Sequence, residues 1–339
     1  MSRKRNISVP APESRSRAAI HRRVLAWYRR HGRALPWRDD ATPYEVMVSE
    51  FMLQQTQVAR VRIHLPRWLE RFPSLAALAA ASRRDVLIAW SGMGYNRRAL
   101  HLHAAARVVM ERHDGVLPSD PTLLRRLPGF GRYTAHAVAC FGFHTRHAMV
   151  EVNIRRVLSR ITTAMEREDR ILPDAAAWEL AETFLPRRAY FDWNQALMDL
   201  GALVCTARRP RCGDCPVATD CASAHRLEPA PPTVAATASV GAPLTVAATA
   251  TVMATSMHVP RRIYRGKVVE YLRARHCANA ATLHRLLFGA REEERTRLLD
   301  ILASLRKDGM IVVTPRQALG EDPRQCTTAL RALRVCLAE

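Results

Sequence analysis

Leu127-Pro-Gly-Phe-Gly-Arg-Tyr-Thr134 lies between a helical stretch that ends near Leu124–Arg126 and another that begins near Arg132. Gly129 and Gly131 permit positive φ and a close backbone approach in a tight connection, and the N-terminus of the following helix offers free N–H groups to an anion such as a DNA phosphate. Most such turns merely join two helices, so the segment takes its meaning from its neighbours. On both sides of it, from about residue 18 to residue 225, the chain reads as amphipathic helices separated by short Gly, Pro and Asp signals, with little period-two alternation. The expected fold is all-α, with a glycine hairpin between two of its helices.

Upstream, Thr42-Pro-Tyr-Glu-Val-Met-Val-Ser-Glu-Phe-Met-Leu-Gln-Gln-Thr-Gln57 opens with a capping-box spacing, Thr42 and Glu45, and with Pro43 at the first helical position. Tyr44, Met47, Val48, Phe51 and Met52 make one apolar stripe. Val46, Glu50, Leu53 and Gln57 make another, so the helix is apolar nearly all round and Glu50 interrupts it. A glutamate there either sits at the edge of a solvated face or is desolvated. Desolvation would raise its pKa toward the range where a carboxylic acid donates a proton near neutral pH.

Downstream, Cys205, Cys212, Cys215 and Cys221 form C-x6-C-x2-C-x5-C, compact enough for one loop to wrap one metal centre. Structural zinc usually takes two close pairs, whereas only Cys212 and Cys215 are close here, so four thiolates on a [4Fe–4S] cluster fit better than zinc. Cys140, Cys277, Cys326 and Cys336 are scattered without pairing logic, and no export signal stands in the sequence. The expectation is no disulfide and a reducing compartment.

Lysine plus arginine exceed aspartate plus glutamate by 52 − 31 = 21, and a pI near 10.9 makes a polyanion, nucleic acid first, the natural partner. Only Lys4, Lys267 and Lys307 are lysines, so between Arg5 and Gly266 no side-chain amine exists. Residues 1–17 read as a disordered basic tail, with an Arg- and Ser-rich organellar transit peptide as the alternative. Residues 226–258, rich in Ala, Thr, Val and Pro, read as a low-complexity linker rather than a membrane span. From 259 to 339, helical patterns at 264–275, 281–288 and 291–307 precede the β-prone run Met310–Thr314, which suggests a small winged-helix-like module.

Taken together, residues 18–225 resemble the helix-hairpin-helix glycosylase superfamily, and within it the MutY adenine glycosylases rather than endonuclease III. The resemblance is carried by Gly32-Arg-Ala-Leu-Pro-Trp-Arg38, Ser49-Glu-Phe-Met-Leu-Gln-Gln-Thr-Gln57, Gly92-Met-Gly-Tyr95, Leu127-Pro-Gly-Phe-Gly131, Asn194-Gln-Ala-Leu-Met-Asp-Leu-Gly-Ala202 and the cysteine loop. It implies two helical lobes, an iron–sulfur cluster, and mismatched double-stranded DNA bound by a monomer, in a bacterial cytoplasm. It implies that Glu50 protonates adenine at N7 and later assists the attacking water, that Tyr95 is a wedge, and that Gln54 and Gln55 meet the paired bases. Gly129, Gly131, Arg132 and Asn153 join these as implied DNA contacts, and Tyr133 stands at the active site where endonuclease III-like lyases need a lysine amine.

Two departures stand out. The family has Asp followed one residue later by Asn after the hairpin's helix. Here Met149-Val-Glu-Val-Asn153 puts Glu151 in that place, either as the carboxylate that stabilises a sugar cation or as a cap on the next helix. Residues 226–339 do not resemble the Nudix-like domain with which the family reads 8-oxoguanine. A paralogue acting on another mispaired base such as thymine, a lyase, and a non-catalytic damage-binding protein are the competing readings.

Overall fold

The computed structural model describes residues 14–164, 171–226, 259–289, 291–315, 319 and 329–339. The expected linker lies almost wholly outside them, as do residues 1–13 of the expected tail. Residues 14–17 of the expected tail are helical instead: helix α1 (Ser14–His31) starts at Ser14, and Arg17 donates to the Thr183 carbonyl at 3.1 Å.

After α1 come α2 (Pro43–Leu53), α3 (Val58–Arg71), α4 (Leu75–Ala80), α5 (Arg83–Ala89), α6 (Arg97–Arg112) and α7 (Pro121–Leu124). These are followed by α8 (Arg132–Phe143), α9 (Val152–Thr162), α10 (Asp174–Phe184) and α11 (Tyr190–Leu203). Side-chain caps explain many of the starts. Ser74 accepts from the Ala77 N–H, Ser82 from Asp85, Asp120 from Thr122 and Glu151 from Ile154. The capping box of α2 forms as read, with Thr42 N–H donating to Glu45 Oε2 at 2.7 Å and Glu45 N–H to Thr42 Oγ1 at 3.3 Å. The helix stops at Leu53, so Gln57 belongs to no stripe of it but precedes α3.

Two compact units result. The first contains residues 1–50, 117–126 and 130–236; the second contains 51–116, 127–129 and 237–339. The core of the first is built on Trp178, Phe184 and Trp193, and that of the helical part of the second on Trp68, Leu78, Leu87 and Trp90.

The C-terminal residues of the second unit run α12 (Arg261–Arg275), β1 (Cys277–Asn279), α13 (Ala280–Phe288), α14 (Arg295–Lys307), β2 (Ile311–Thr314) and β3 (Arg334–Leu337), with antiparallel strand order β1-β3-β2. This element order is that of a winged helix. Ile311 and Val313 point inward while Val312 and Thr314 point outward, the period-two pattern of a half-buried strand. The sheet overturns one expectation. Cys277 and Cys336 are direct cross-strand partners with Cα atoms 4.0 Å apart and are joined by a disulfide. Strands β1 and β3 are too short to be read from periodicity, and only their pairing brings residues 59 positions apart into bonding distance.

Candidate active site

Glu50 sits on the buried face of α2 and is 6% exposed. Burial pushes its pKa up to about 7; a hydrogen bond from Tyr133 opposes this, and the charge of Glu151 adds to it. Helix α8 brings Tyr133 to this point, in its first turn directly after the hairpin. Its hydroxyl lies 3.6 Å from Met198 Sδ, and the Glu50 carboxylate is the stronger acceptor of the two. Burial, reinforced by Glu50 and Glu151, raises the Tyr133 pKa well above its ordinary value, so the phenol stays a donor.

Both carboxylate oxygens of Glu151 are engaged within the protein. One carboxylate oxygen caps α9 by accepting from Ile154 N–H at 2.8 Å, and the other accepts from Asn153 Nδ2 at 3.2 Å. Burial raises its pKa above the ordinary carboxylate value, and hydrogen bonds from the backbone of Asn153 and Ile154 with the nearby Arg156 charge only limit the rise. Asn153 is engaged within the protein at both ends of its amide, since Arg156 Nη2 donates to its Oδ1 at 2.6 Å. Gly201 makes this packing possible: a Cβ there would stand 2.6 Å from Asn153 Cβ. The network continues from Arg156 to the carbonyls of Gly201 at 2.7 Å and Cys205 at 2.9 Å, tying the Glu151 carboxylate to the cysteine loop.

Sequence reading assigned no role to Arg38 and Asp199, although both fall inside quoted motifs. Asp199 is fully buried and receives Arg38 at 2.8 Å through both of its terminal nitrogens, together with the Arg33 N–H and side chain at 2.8 Å. Burial raises the Asp199 pKa, but these hydrogen bonds outweigh it and hold the group below the usual carboxylate range. The Arg38 charge, fixed in this way, lowers the pKa values of Glu50 and Tyr133. The signal in the sequence was an arginine at the end of one motif and an aspartate two turns or less past Asn194 and Gln195 in another.

In the second unit, α2 ends under Arg98. This buried guanidinium donates to the carbonyls of Phe51 and Met52 at 2.9 Å, to that of Gln54, to Thr56 Oγ1 at 2.9 Å and to the Met93 carbonyl at 3.2 Å. It thereby clamps the turn bearing Gln54 and Gln55 to the turn bearing Tyr95. Gln55 and Tyr95 both have positive φ, and Tyr95 is 51% exposed. Gly129 has φ +80°, and a Cβ there would meet Phe51 and His101 at 2.7 Å, so the hairpin requires glycine on both counts. Gly131 differs from expectation: its φ of −78° is ordinary, and it is the exposed N-cap of α8 with open space around it. Arg132, in the first turn of α8, stacks over Trp178 at 3.8 Å.

Cys205, Cys212, Cys215 and Cys221 line one cavity, yet among the described residues no three His, Cys, Asp or Glu side chains converge on a single ion. Four thiols lining one cavity suit a [4Fe–4S] cluster, which takes four thiolates. Burial, with repulsion from the other three sulfurs, pushes the Cys215 thiol up to about 12, so the charge of bound iron is what lets the set ionise. Arg160, 2% exposed, donates to Cys205 Sγ at 3.4 Å and to the carbonyls of Thr206 and Ala207 at 2.7 and 2.8 Å. Purified protein is expected to be yellow-brown, absorbing near ~400 nm, with about four irons per chain. Anaerobic metal analysis that found about one zinc per chain and no iron would overturn this assignment.

Residues 48–183 match the family described as HhH-GPD superfamily base excision DNA repair protein, and residues 205–221 match the iron–sulfur binding domain of endonuclease III. Over these residues the chain is similar to helix-hairpin-helix base excision repair proteins. Among its relatives, an adenine DNA glycosylase of Mycobacterium tuberculosis is 47% identical over 198 residues, which are 57% of this chain and 64% of that protein. The human adenine DNA glycosylase is 40% identical over 214 residues, 60% of this chain and 39% of that protein. The chain thus spans about two fifths to three fifths of the length of these relatives. A thermostable thymine-DNA glycosylase structure superposes with a TM-score of 0.57 at 29% identity, over 61% of this chain and 95% of that one.

Proposed function

We propose that this protein is a monofunctional DNA glycosylase that hydrolyses the N-glycosidic bond of adenine mispaired with 8-oxoguanine or guanine. The observation that carries this reading is the carboxyl of Glu50, buried, with a pKa near 7, held by Tyr133 and accompanied by a second carboxylate, Glu151. The names of the mycobacterial and human relatives support adenine as the base.

An adenine inside a duplex is out of reach, and a mispaired one is cheaper to extrude. Once it is flipped, Glu50 gives its proton to N7 as the C1′–N9 bond breaks and the bonding pair leaves with the purine. The sugar cation is stabilised by Glu151, whose carboxylate is held in place by Ile154 N–H and Asn153 Nδ2. Glu50, now a carboxylate, takes a proton from the water whose oxygen bonds to C1′ and so regains its acid form. Cys205, Cys212, Cys215 and Cys221 would hold a [4Fe–4S] cluster, which would cross-link the loop whose carbonyls receive Arg156 and Arg160 of α9.

Lyase chemistry through a core lysine is incompatible with the chain, because none lies between residues 5 and 266 and the relevant position is Tyr133. Borohydride is expected to trap no covalent complex with DNA. Trapping that persists when Lys4, Lys267 and Lys307 are all arginine and the terminal amine is blocked would overturn the monofunctional mechanism.

Single-turnover assays on duplexes carrying adenine opposite 8-oxoguanine, adenine opposite guanine and thymine opposite guanine test the whole proposal. Adenine release is the expected result. Release of thymine alone, the base named for the superposed thermostable enzyme, would move the assignment to that class, and release of no base would leave a DNA-binding protein.

A further inference from the structure

Part of the groove that holds Gln54, Gln55 and Tyr95 is built by the C-terminal residues. The cavity, about 690 Å3 in volume, is lined by these three side chains and also by Arg262, Ile263 and Arg265 of α12. Arg60, Arg97 and Arg98 line it too, against one acidic residue, Asp308. Arg265 is tied to Asp308 and Ser304, and Arg97 lies 4.0 Å from Asp308, so that single carboxylate is already compensated. Arg262 is exposed in the first turn of α12.

The C-terminal residues are firmly seated beside the Tyr95 turn. Arg273 donates to the Leu87 carbonyl at 2.8 Å and to Asn96 Oδ1 at 2.8 Å, and Ser91 donates to Glu270 at 3.0 Å. Leu87 itself is buried in the apolar core of the module. Helix α14, the third helix of a winged helix, has Leu298, Leu299, Leu302 and Leu305 buried, so much of its surface is taken up by the core. The cationic side chains that reach the groove come from α12 instead.

We propose that the C-terminal module is a DNA-contact surface in which Arg262 of α12 holds the phosphodiester backbone of the strand that passes Gln54, Gln55 and Tyr95. Five arginines round one compensated aspartate favour a polyanion, and a groove containing exposed Tyr95 and Gln55 offers stacking and hydrogen bonds beside the phosphates. The proposal rests on DNA being the substrate, not on which base is excised.

The test measures binding of a mismatched duplex by full-length protein carrying Glu50→Gln, which keeps the DNA intact, over a range of salt. Arg262→Glu is expected to weaken binding by about tenfold or more near ~0.1 M salt and to reduce the log–log salt slope by about 0.9, the value for one lost phosphate contact. Arg262→Lys should restore most of the affinity. Arg285, exposed on α13 of the same module and outside the groove, is the control for general charge: Arg285→Glu should change binding by no more than about twofold. Equal losses from Arg262→Glu and Arg285→Glu, or no loss from either, would overturn the proposal. Excision by the chain with Glu50 intact is measured beside these. If it binds DNA through Arg262 but excises nothing, the enzymatic reading fails and the groove stands; if it excises and is indifferent to Arg262, the groove alone fails.

Discussion

Glu50→Gln is expected to reduce base excision by roughly 10³-fold or more, within or beyond the range that general acid catalysis contributes, while mismatch binding changes little. The variant keeps the size and hydrogen-bonding shape of the side chain and removes only the transferable proton. Glu50 lies in the protein interior, where burial raises its pKa to about 7, so its acid form is well populated at neutral pH. Excision should therefore fall as pH rises through about 7, and that limb of the profile should vanish in the variant. The same shift has a stability consequence with a defined sign. The folded-state pKa is above the ordinary value of 4.5, so the contribution of Glu50 is fully present below about 4.5 and is lost as pH rises through about 7. Glu50→Gln should consequently be at least as stable as the parent at pH ~8, and relatively less favoured at pH ~4. Single-turnover excision at close to the parental rate would show that another group protonates the base.

Glu151 presents a different problem, because it is at once a helix cap and the second carboxylate beside Glu50. Glu151→Ala should slow excision by a factor on the order of 100 and also cost about 0.5–2 kcal/mol of stability, since both the focused charge and the cap are lost. Glu151→Gln separates the two. Its amide oxygen still accepts from Ile154 N–H, so thermal stability should stay near that of the parent while excision remains slow on the order of 100-fold. Glu151→Asp retains the charge and should retain activity. A glutamine variant that excises at the parental rate would reduce Glu151 to a cap. A parent that excises nothing but gains activity as Glu151→Asp would mean that the extra methylene had silenced the site.

The sequence by itself determined the helices with strong period and local chemistry. Thr42 and Glu45 cap α2, the apolar ring round Glu50 raises burial as one of its two readings, and the spacing of Cys205, Cys212, Cys215 and Cys221 points to a cluster loop, all from interactions within a few residues along the chain. The absence of lysine between residues 5 and 266 likewise constrains the chemistry without any coordinates. The tertiary structure decided what depends on residues far apart in sequence. The Arg38–Asp199 pair is separated by 161 positions, and the path from Glu151 through Asn153 and Arg156 to Cys205 depends on Gly201 leaving room. Neither leaves a periodic trace, because an ion pair or a close approach fixes two points rather than a repeating face. Strands β1 and β3 were invisible for a related reason: three or four residues carry too little alternation, and their pairing, with the Cys277–Cys336 bond across it, arises only when α12–α14 close a common core. The same closure brings Arg262 and Arg265 into one groove with Tyr95, a juxtaposition across about half the chain that follows from the burial of Leu87 in the C-terminal core.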